Sequence, residues 1–230
     1  MPGVIAHNLF HRVGDLRTGV DVLRDVSIEA PAGTVTGVVG PAGSGKTSLL
    51  HLLAGLDRPT AGSVTLDERN LRGLDDIELT RLRRDRIGLL LPAASVLPTI
   101  TVRENVALPL LIARRPPAPE AVDALLERVG LAHVADERPA QLTAPERQRV
   151  ALARALIGGP SLLLADEPAG DMDPEEGAHL LLLLREIAHE DGVTVVLFTR
   201  DIDDAAGVAD QIVTIDTGRV VGAAAAPLAA

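Results

Sequence analysis

Gly40-Pro41-Ala42-Gly43-Ser44-Gly45-Lys46-Thr47 fits the spacing G-x-x-x-x-G-K-[ST] of a phosphate-binding loop. Its flanks are what that motif requires. The apolar run Val35 to Val39 leads in as a strand. Ser48-Leu49-Leu50-His51-Leu52-Leu53-Ala54 leads out as a helix, which Gly55 can close. The glycines let consecutive backbone N–H groups curl around an anion, and the helix N-terminus adds its dipole. Lys46 supplies a point charge for the outer phosphates of a nucleotide, and the Thr47 hydroxyl can ligate Mg²⁺. Gly40, Pro41, Ala42, Gly43, Ser44, Gly45, Lys46, Thr47 and Ser48 are therefore expected to hold nucleotide phosphates.

Length and composition bound the rest. The chain of 230 residues suffices for one large α/β domain, or one domain with an inserted subdomain. Hydrophobic residues make up 47%, yet Phe10 and Phe198 are the only aromatics, so the core must be aliphatic. Base stacking on Tyr or Trp is excluded by inventory. A net charge of −10 argues against nonspecific nucleic-acid binding and against electrostatic docking on acidic lipid. The absence of Cys removes disulfides, thiolate metal sites and cysteine nucleophiles. No apolar run approaches the roughly 18 residues a spanning helix needs, and Met1 to Phe10 lacks a signal-peptide pattern. The chain is expected to be soluble and cytoplasmic, reaching a membrane only through a partner.

Along the chain, Val4–Leu9 and Val22–Ala30 read as strands, and Thr34–Val39 as a buried strand before the loop. A turn at Asp57–Gly62 precedes a short strand, Ser63–Leu66. Asp75–Arg86 reads as a helix with acids first and bases last, which suits its dipole. Ile87–Leu91 is a further apolar strand. Proline punctuation then marks helical pieces, including Thr101–Leu108 and Glu120–Val129, followed by a stronger helix over Pro145–Ile157. Ser161–Ala165 and Val193–Phe198 are buried strands on either side of a long helix, Pro174–His189. Asp210–Ile215 and Arg219–Gly222 make a closing hairpin, and the Ala-rich tail from Ala223 is expected to fray. Apolar strands alternating with helices imply a mostly parallel sheet covered by helices, with antiparallel pieces from the two hairpins. The expected division is an α/β core over 1–91 and 160–222, a helical subdomain over 92–159, and a tail over 223–230.

Leu162-Leu163-Leu164-Ala165-Asp166-Glu167 is an apolar strand ending in two carboxylates. At the C-terminal end of a parallel strand they would face the phosphate loop. Asp166 can hold Mg²⁺, and Glu167 can orient or deprotonate an attacking water. Alone, the pair fits equally well a strand stopped by helix-capping acids. Beside Gly40–Thr47 the nucleotide reading prevails.

With these motifs in order, the chain resembles the ATP-binding subunits of ABC transporters over nearly its whole length, and hence a P-loop NTPase fold. The resemblance also rests on Pro98 to Leu110, on Arg147-Gln148-Arg149-Val150-Ala151-Leu152-Ala153-Arg154-Ala155-Leu156, and on Ala165-Asp166-Glu167-Pro168. Glu104 to Leu110 looks most like the branch that powers lipoprotein release and macrolide-type export. The resemblance implies ATP and Mg²⁺ as cofactors and Glu167 as the catalytic carboxylate. It also implies a head-to-tail dimer, contacted through Asp171 and Asp173, and a membrane permease as partner. It places the chain at the inner face of the cell membrane through that permease.

Four positions depart from the family pattern. Val13 stands where an aromatic usually stacks on adenine, which should reduce affinity by about 1–2 kcal/mol. Pro92 replaces the glutamine that meets Mg²⁺ and water, and it offers no side-chain donor or acceptor. The signature loop reads Leu142-Thr143-Ala144-Pro145-Glu146, with Ala144 and Pro145 in place of two glycines. Thr143 and Glu146 instead spell a capping box with Pro in the first turn, which favours a well-capped structural helix over a phosphate contact. Arg200 replaces the switch histidine; it is cationic and could reach the terminal phosphate, or pair with Asp201, Asp203 or Asp204. With Lys46, Thr47, Asp166 and Glu167 intact, the expectation is an ATP-binding subunit with slow hydrolysis, as a homodimer or with an intact second subunit. The alternative is a nonhydrolytic nucleotide-binding or regulatory module.

Overall fold

The computed structural model describes residues 2–14, 19–91, 96–116, 119–170 and 172–225. Strands β1 (Pro2–Val13) and β2 (Val20–Pro31) pair antiparallel in the register Val4↔Ala30, Ile5↔Glu29 and Ala6↔Ile28. The wholly buried β3 (Val35–Val39) feeds the phosphate loop and α1 (Lys46–Leu53). Next come β4 (Ala61–Leu66), β5 (Arg69–Asn70), α2 (Asp76–Arg86) and β6 (Ile87–Leu90). The helical segment holds α3 (Val102–Ile112), α4 (Pro119–Arg128) and α5 (Ala144–Leu156). The chain then returns through β7 (Leu162–Asp166), α6 (Pro174–Asp191), β8 (Thr194–Thr199), α7 (Ile202–Ala206), β9 (Gln211–Asp216) and β10 (Arg219–Ala225).

Two sheets result. One is antiparallel, in the order β2-β1-β4-β5; the other runs β10-β9-β3-β8-β7-β6. In the second, β9, β3, β8, β7 and β6 are parallel neighbours, and only β10 is antiparallel. Successive strand residues point to opposite faces, and the two cores follow from that. Leu162, Leu164, Val196 and Phe198 pack with Leu49, Leu50 and Leu53 of α1 and with Val4 and Leu23 of the antiparallel sheet. Leu163, Ala165, Val195 and Leu197 pack on the other face with Val150 and Leu152 of α5 and Leu180 and Leu184 of α6. Covering both faces is why these strands read as unbroken apolar runs.

Two expectations are corrected. The chain from Ala223 does not fray at once: β10 stays paired through Ala223↔Val213, Ala224↔Ile212 and Ala225↔Gln211. Ladder hydrogen bonds come from the backbone, so a run of alanines adds to a strand edge as readily as larger residues can. Helix α3 does not stop at Leu108 but continues through Pro109 to Ile112, and the Ala113 N–H donates to the Pro109 carbonyl at 2.9 Å. Proline removes only its own donor, and the following turn can still close on its carbonyl.

Candidate functional site: the phosphate loop and the strand ends beside it

The loop is fixed by its glycines and by its own lysine. Gly43 and Gly45 adopt φ of 76° and 105°, the left-handed region that favours glycine. Gly40 leaves no room for a side chain, because a Cβ there would lie 2.1 Å from the Ile215 carbonyl oxygen. The Ser44 carbonyl accepts from the Gly218 N–H at 2.9 Å, so the β9–β10 turn braces the loop. Lys46 is buried and donates through Nζ to the carbonyls of Gly40 at 2.5 Å and Pro41 at 3.1 Å. Its burial lowers its pKa, while Glu167 and Asp166 pull the other way. Thr47 is exposed and Ser48 half-buried at the start of α1. A cavity of about 360 Å³ opens here, lined by Ala42 to Ser48 with Asp166, Glu167, Arg200 and Val22.

Asp166 ends β7, and burial followed by the charge of Glu167 raises its pKa, against weaker pulls from Lys46 and His51. Glu167 sits one residue beyond the strand at φ 45°, and its N–H donates to the Phe198 carbonyl at 2.8 Å. Arg200 sits one residue beyond β8. The register Asp166↔Phe198 brings the two strand ends side by side. Arg200 Nε donates to Glu167 Oε1 at 3.0 Å, and the Arg200 backbone N–H donates to Oε2 at 3.3 Å. The expected pairing of Arg200 with Asp201, Asp203 or Asp204 is therefore overturned. Asp201 is used as the N-cap of α7, accepting from the Asp203 N–H at 2.8 Å.

The other predicted positions divide. Thr143 and Glu146 form the capping box of α5: Glu146 Oε2 accepts from the Thr143 N–H at 2.8 Å, and Thr143 Oγ1 accepts from the Glu146 N–H at 3.4 Å. Ala144 and Pro145 are the first residues of the helix, and none of Thr143–Glu146 lines this chain's phosphate cavity. Val13 is the last residue of β1, paired with Val20 and 51% exposed; Val22, two residues further along the partner strand, lines the cavity instead. Asp173 caps α6, accepting from the Glu175 N–H at 3.0 Å. Pro92 and Asp171 lie outside the described residues.

The arrangement suits a nucleotide phosphate with Mg²⁺. Ser44 Oγ is buried without a hydrogen-bond partner, and Gly43 and Gly45 hold the left-handed backbone with which such loops present donors to an anion. Among the described residues no group of three His, Cys, Asp or Glu is gathered to hold a metal alone. Thr47 with Asp166 fits Mg²⁺, which is held through one or two protein groups plus phosphate oxygens.

Residues 23–170 match the family model of the ABC transporter. The chain belongs to the ABC transporter family. It is an ATP-binding subunit and a P-loop ATPase of that family. It is 44% identical over 180 residues, 77% of this chain and 80% of the relative, to the lipoprotein-releasing system ATP-binding protein LolD of Myxococcus xanthus. The LolD of Syntrophotalea carbinolica is 42% identical over 88% of this chain and 90% of its own length. These LolD likenesses support the branch expected from Glu104 to Leu110. The methionine import protein MetN 1 of Acinetobacter baylyi is 41% identical over 88% of this ABC subunit, which spans 57% of that relative. Among solved structures, a dimeric ATP-binding cassette in a post-hydrolysis state, bound to ADP and Pi, superposes with a TM-score of 0.88. It is 33% identical and covers 97% of this chain and 99% of its own. ABC cassettes dimerise and work with membrane permease subunits. Among the described residues no helix is long and apolar enough to cross a membrane.

The sequence missed two features of this ABC site: Val22 in the cavity and the Arg200–Glu167 pair. The second had a signal. Both residues directly follow buried apolar strands, and adjacent strands of one parallel sheet end together.

Proposed function

We propose that this ABC subunit binds MgATP in the cavity between Gly40–Ser48 and the ends of β7 and β8, closes as a dimer, and hydrolyses ATP slowly through Glu167. The observation that carries this is the gathering of Lys46, Thr47, Asp166 and Glu167 around one cavity of about 360 Å³. Backbone N–H groups of Gly43, Gly45, Lys46 and Thr47 and the Lys46 ammonium hold the phosphates, and Thr47 and Asp166 would hold Mg²⁺. When bound, Mg²⁺ supplies charge neutralisation at the phosphate oxygens. Glu167 Oε1 or Oε2 accepts a hydrogen bond from water and takes its proton as the water attacks. Asp173 falls at the dimer contact. The partner in the dimer is a second copy or an intact ATP-binding subunit. A membrane permease holds the assembly at the inner face of the cell membrane.

A nonhydrolytic module is the second reading. It is favoured by the Arg200–Glu167 pair, which occupies both oxygens of the carboxylate, and by the capping box at Thr143–Glu146. Steady-state ATPase rates of the wild type and Glu167→Gln separate the two, with MgATP binding measured in parallel. A general base contributes roughly 10²–10⁴-fold, so the variant should lose at least tenfold in kcat. Equal rates would remove the catalytic role of Glu167 and leave the nonhydrolytic reading.

A further inference from the structure

Beyond its loop, the phosphate cavity is walled by Asp166, Glu167 and Arg200 and by one apolar side chain, Val22 of β2. Val22 is the extra residue of a β-bulge: the adjacent residues His11 and Arg12 of β1 pair with Leu23 and Asp21, so β2 steps past β1 by one position at Val22. A bulge of this kind re-aims a side chain, and Val22 lines the cavity. The last pair of the ladder is Val13↔Val20. Val13 stands two residues from His11 and shares its face. On that face His11 and Leu23 are buried, Leu23 in one cluster with Leu49 and Leu50 of α1, while Val13 and Val20 are exposed. The face therefore looks toward the helix that carries the phosphate loop, and Val22, Val20 and Val13 make an aliphatic strip leading out of the cavity. The polar side chains of this hairpin are engaged elsewhere. Arg12 and Asp21 pair with each other at 3.4 Å on the opposite face, and His11 Nε2 lies 3.3 Å from Asp57. Neither aromatic joins the strip: Phe198 is fully buried, and Phe10, next to His11 along β1, points to the other face.

We propose that this site accepts nucleoside triphosphates with little regard to the base. This rests on the reading that the cavity binds MgATP with the terminal phosphate at Glu167; the nucleoside then leaves the cavity past Val22 and lies against the strip. Bases are told apart by hydrogen bonds to their edges or by stacking on aromatic rings, and the valine side chains offer neither. Aliphatic groups touch any flat ring through area alone. A site built to hydrogen-bond its substrate rejects an analogue by orders of magnitude, whereas an apolar one separates near-isosteres far less. The phosphates and their Mg²⁺, common to all nucleoside triphosphates, carry the affinity.

Equilibrium binding of MgATP, MgGTP and MgUTP to the full chain tests it. The three dissociation constants should agree within about threefold, the scale of small differences in buried apolar area. A preference for MgATP of about tenfold or more over either of the others overturns this inference and leaves the MgATP reading standing. Binding of none of the three removes the MgATP reading, and this inference with it. Val13→Tyr, at an exposed position, adds a ring to the strip, and thermal melting confirms that the variant folds. It should tighten MgATP and MgGTP by about fivefold, the low end for one stacked base, and MgUTP by less. If it shifts none of the three, the base does not meet the strip and the inference is overturned.

Discussion

Asp166 sits where its charge is opposed. Burial and the carboxylate of Glu167 both raise its pKa. A carboxyl group with a folded pKa above its unfolded value binds more protons when folded, so stability falls as pH rises through the interval between the two. Asp166→Asn keeps the shape and removes the opposed charge. It should raise Tm at pH 7 by about 2–4 °C, the scale of ~1 kcal/mol in a domain of this size. The gain should shrink as pH falls through the raised folded pKa and disappear only below the ordinary carboxylate value of 3.8, where both states are protonated. The same variant should bind ATP with little dependence on Mg²⁺. Identical melting at pH 7, or a gain that persists in acid, would contradict this account of Asp166. The cost borne at neutral pH is a trade of stability for a metal-ready carboxylate. At this scale the loop residues were legible because their chemistry depends on local backbone geometry. The partner of Arg200 was not, because it lies 33 residues away and is set by the register between β7 and β8.

Among the elements, α5 shows most directly how a local signal survives folding. Thr143-Ala144-Pro145-Glu146 encodes its own helix start, and the reciprocal bonds of the box form as its spacing demands. Hydrogen bonding from Thr143 also holds the Glu146 carboxyl below its ordinary pKa, with further help from Thr143 Oγ1 and His133. Thr143→Ala should cost about 1 kcal/mol of stability, read as a fall of about 2–4 °C in Tm. Ala144→Gly with Pro145→Gly tests a different quantity. Two glycines in the first turn lower helix stability by about 1 kcal/mol each at most, so Tm should fall. They also restore one backbone donor and remove side-chain carbons from the helix start. If that start meets the phosphate of a second subunit, turnover should rise several-fold despite the lower Tm. A lower Tm with unchanged turnover would make the loop a structural cap and nothing more. Elements whose ends depend on neighbours were misjudged from sequence: β10 is prolonged by the ladder with β9, and α3 is carried past Pro109 within the packed helical segment.

At the scale of the molecule, the α/β class was legible because a sheet buried on both faces must spell its strands in continuous apolar residues. The division into a core and a helical segment is less sharp in three dimensions. Val102, Val106, Val122 and Leu126 of the helical segment belong to the same buried cluster as Leu163, Val195 and Leu197 of the parallel sheet. An Arg128–Asp191 ion pair at 2.5 Å also ties α4 to the end of α6. Surface charge bears on assembly more than on fold. Each chain carries −10, so two copies approaching each other repel at long range before any contact forms. Salt shortens the reach of that repulsion from about 30 Å at 0.01 M to about 10 Å at 0.1 M. Dimerisation of Glu167→Gln at saturating MgATP should therefore strengthen several-fold between those concentrations, as read by sedimentation velocity. Saturation with nucleotide removes the opposing effect of salt on phosphate binding. If salt instead weakens the dimer, close cation–carboxylate pairs across the interface outweigh the net charge. A dimer that forms only with a different, less acidic ATP-binding subunit would identify the heterodimer as the working assembly, because that partner lowers the repulsion without changing this chain.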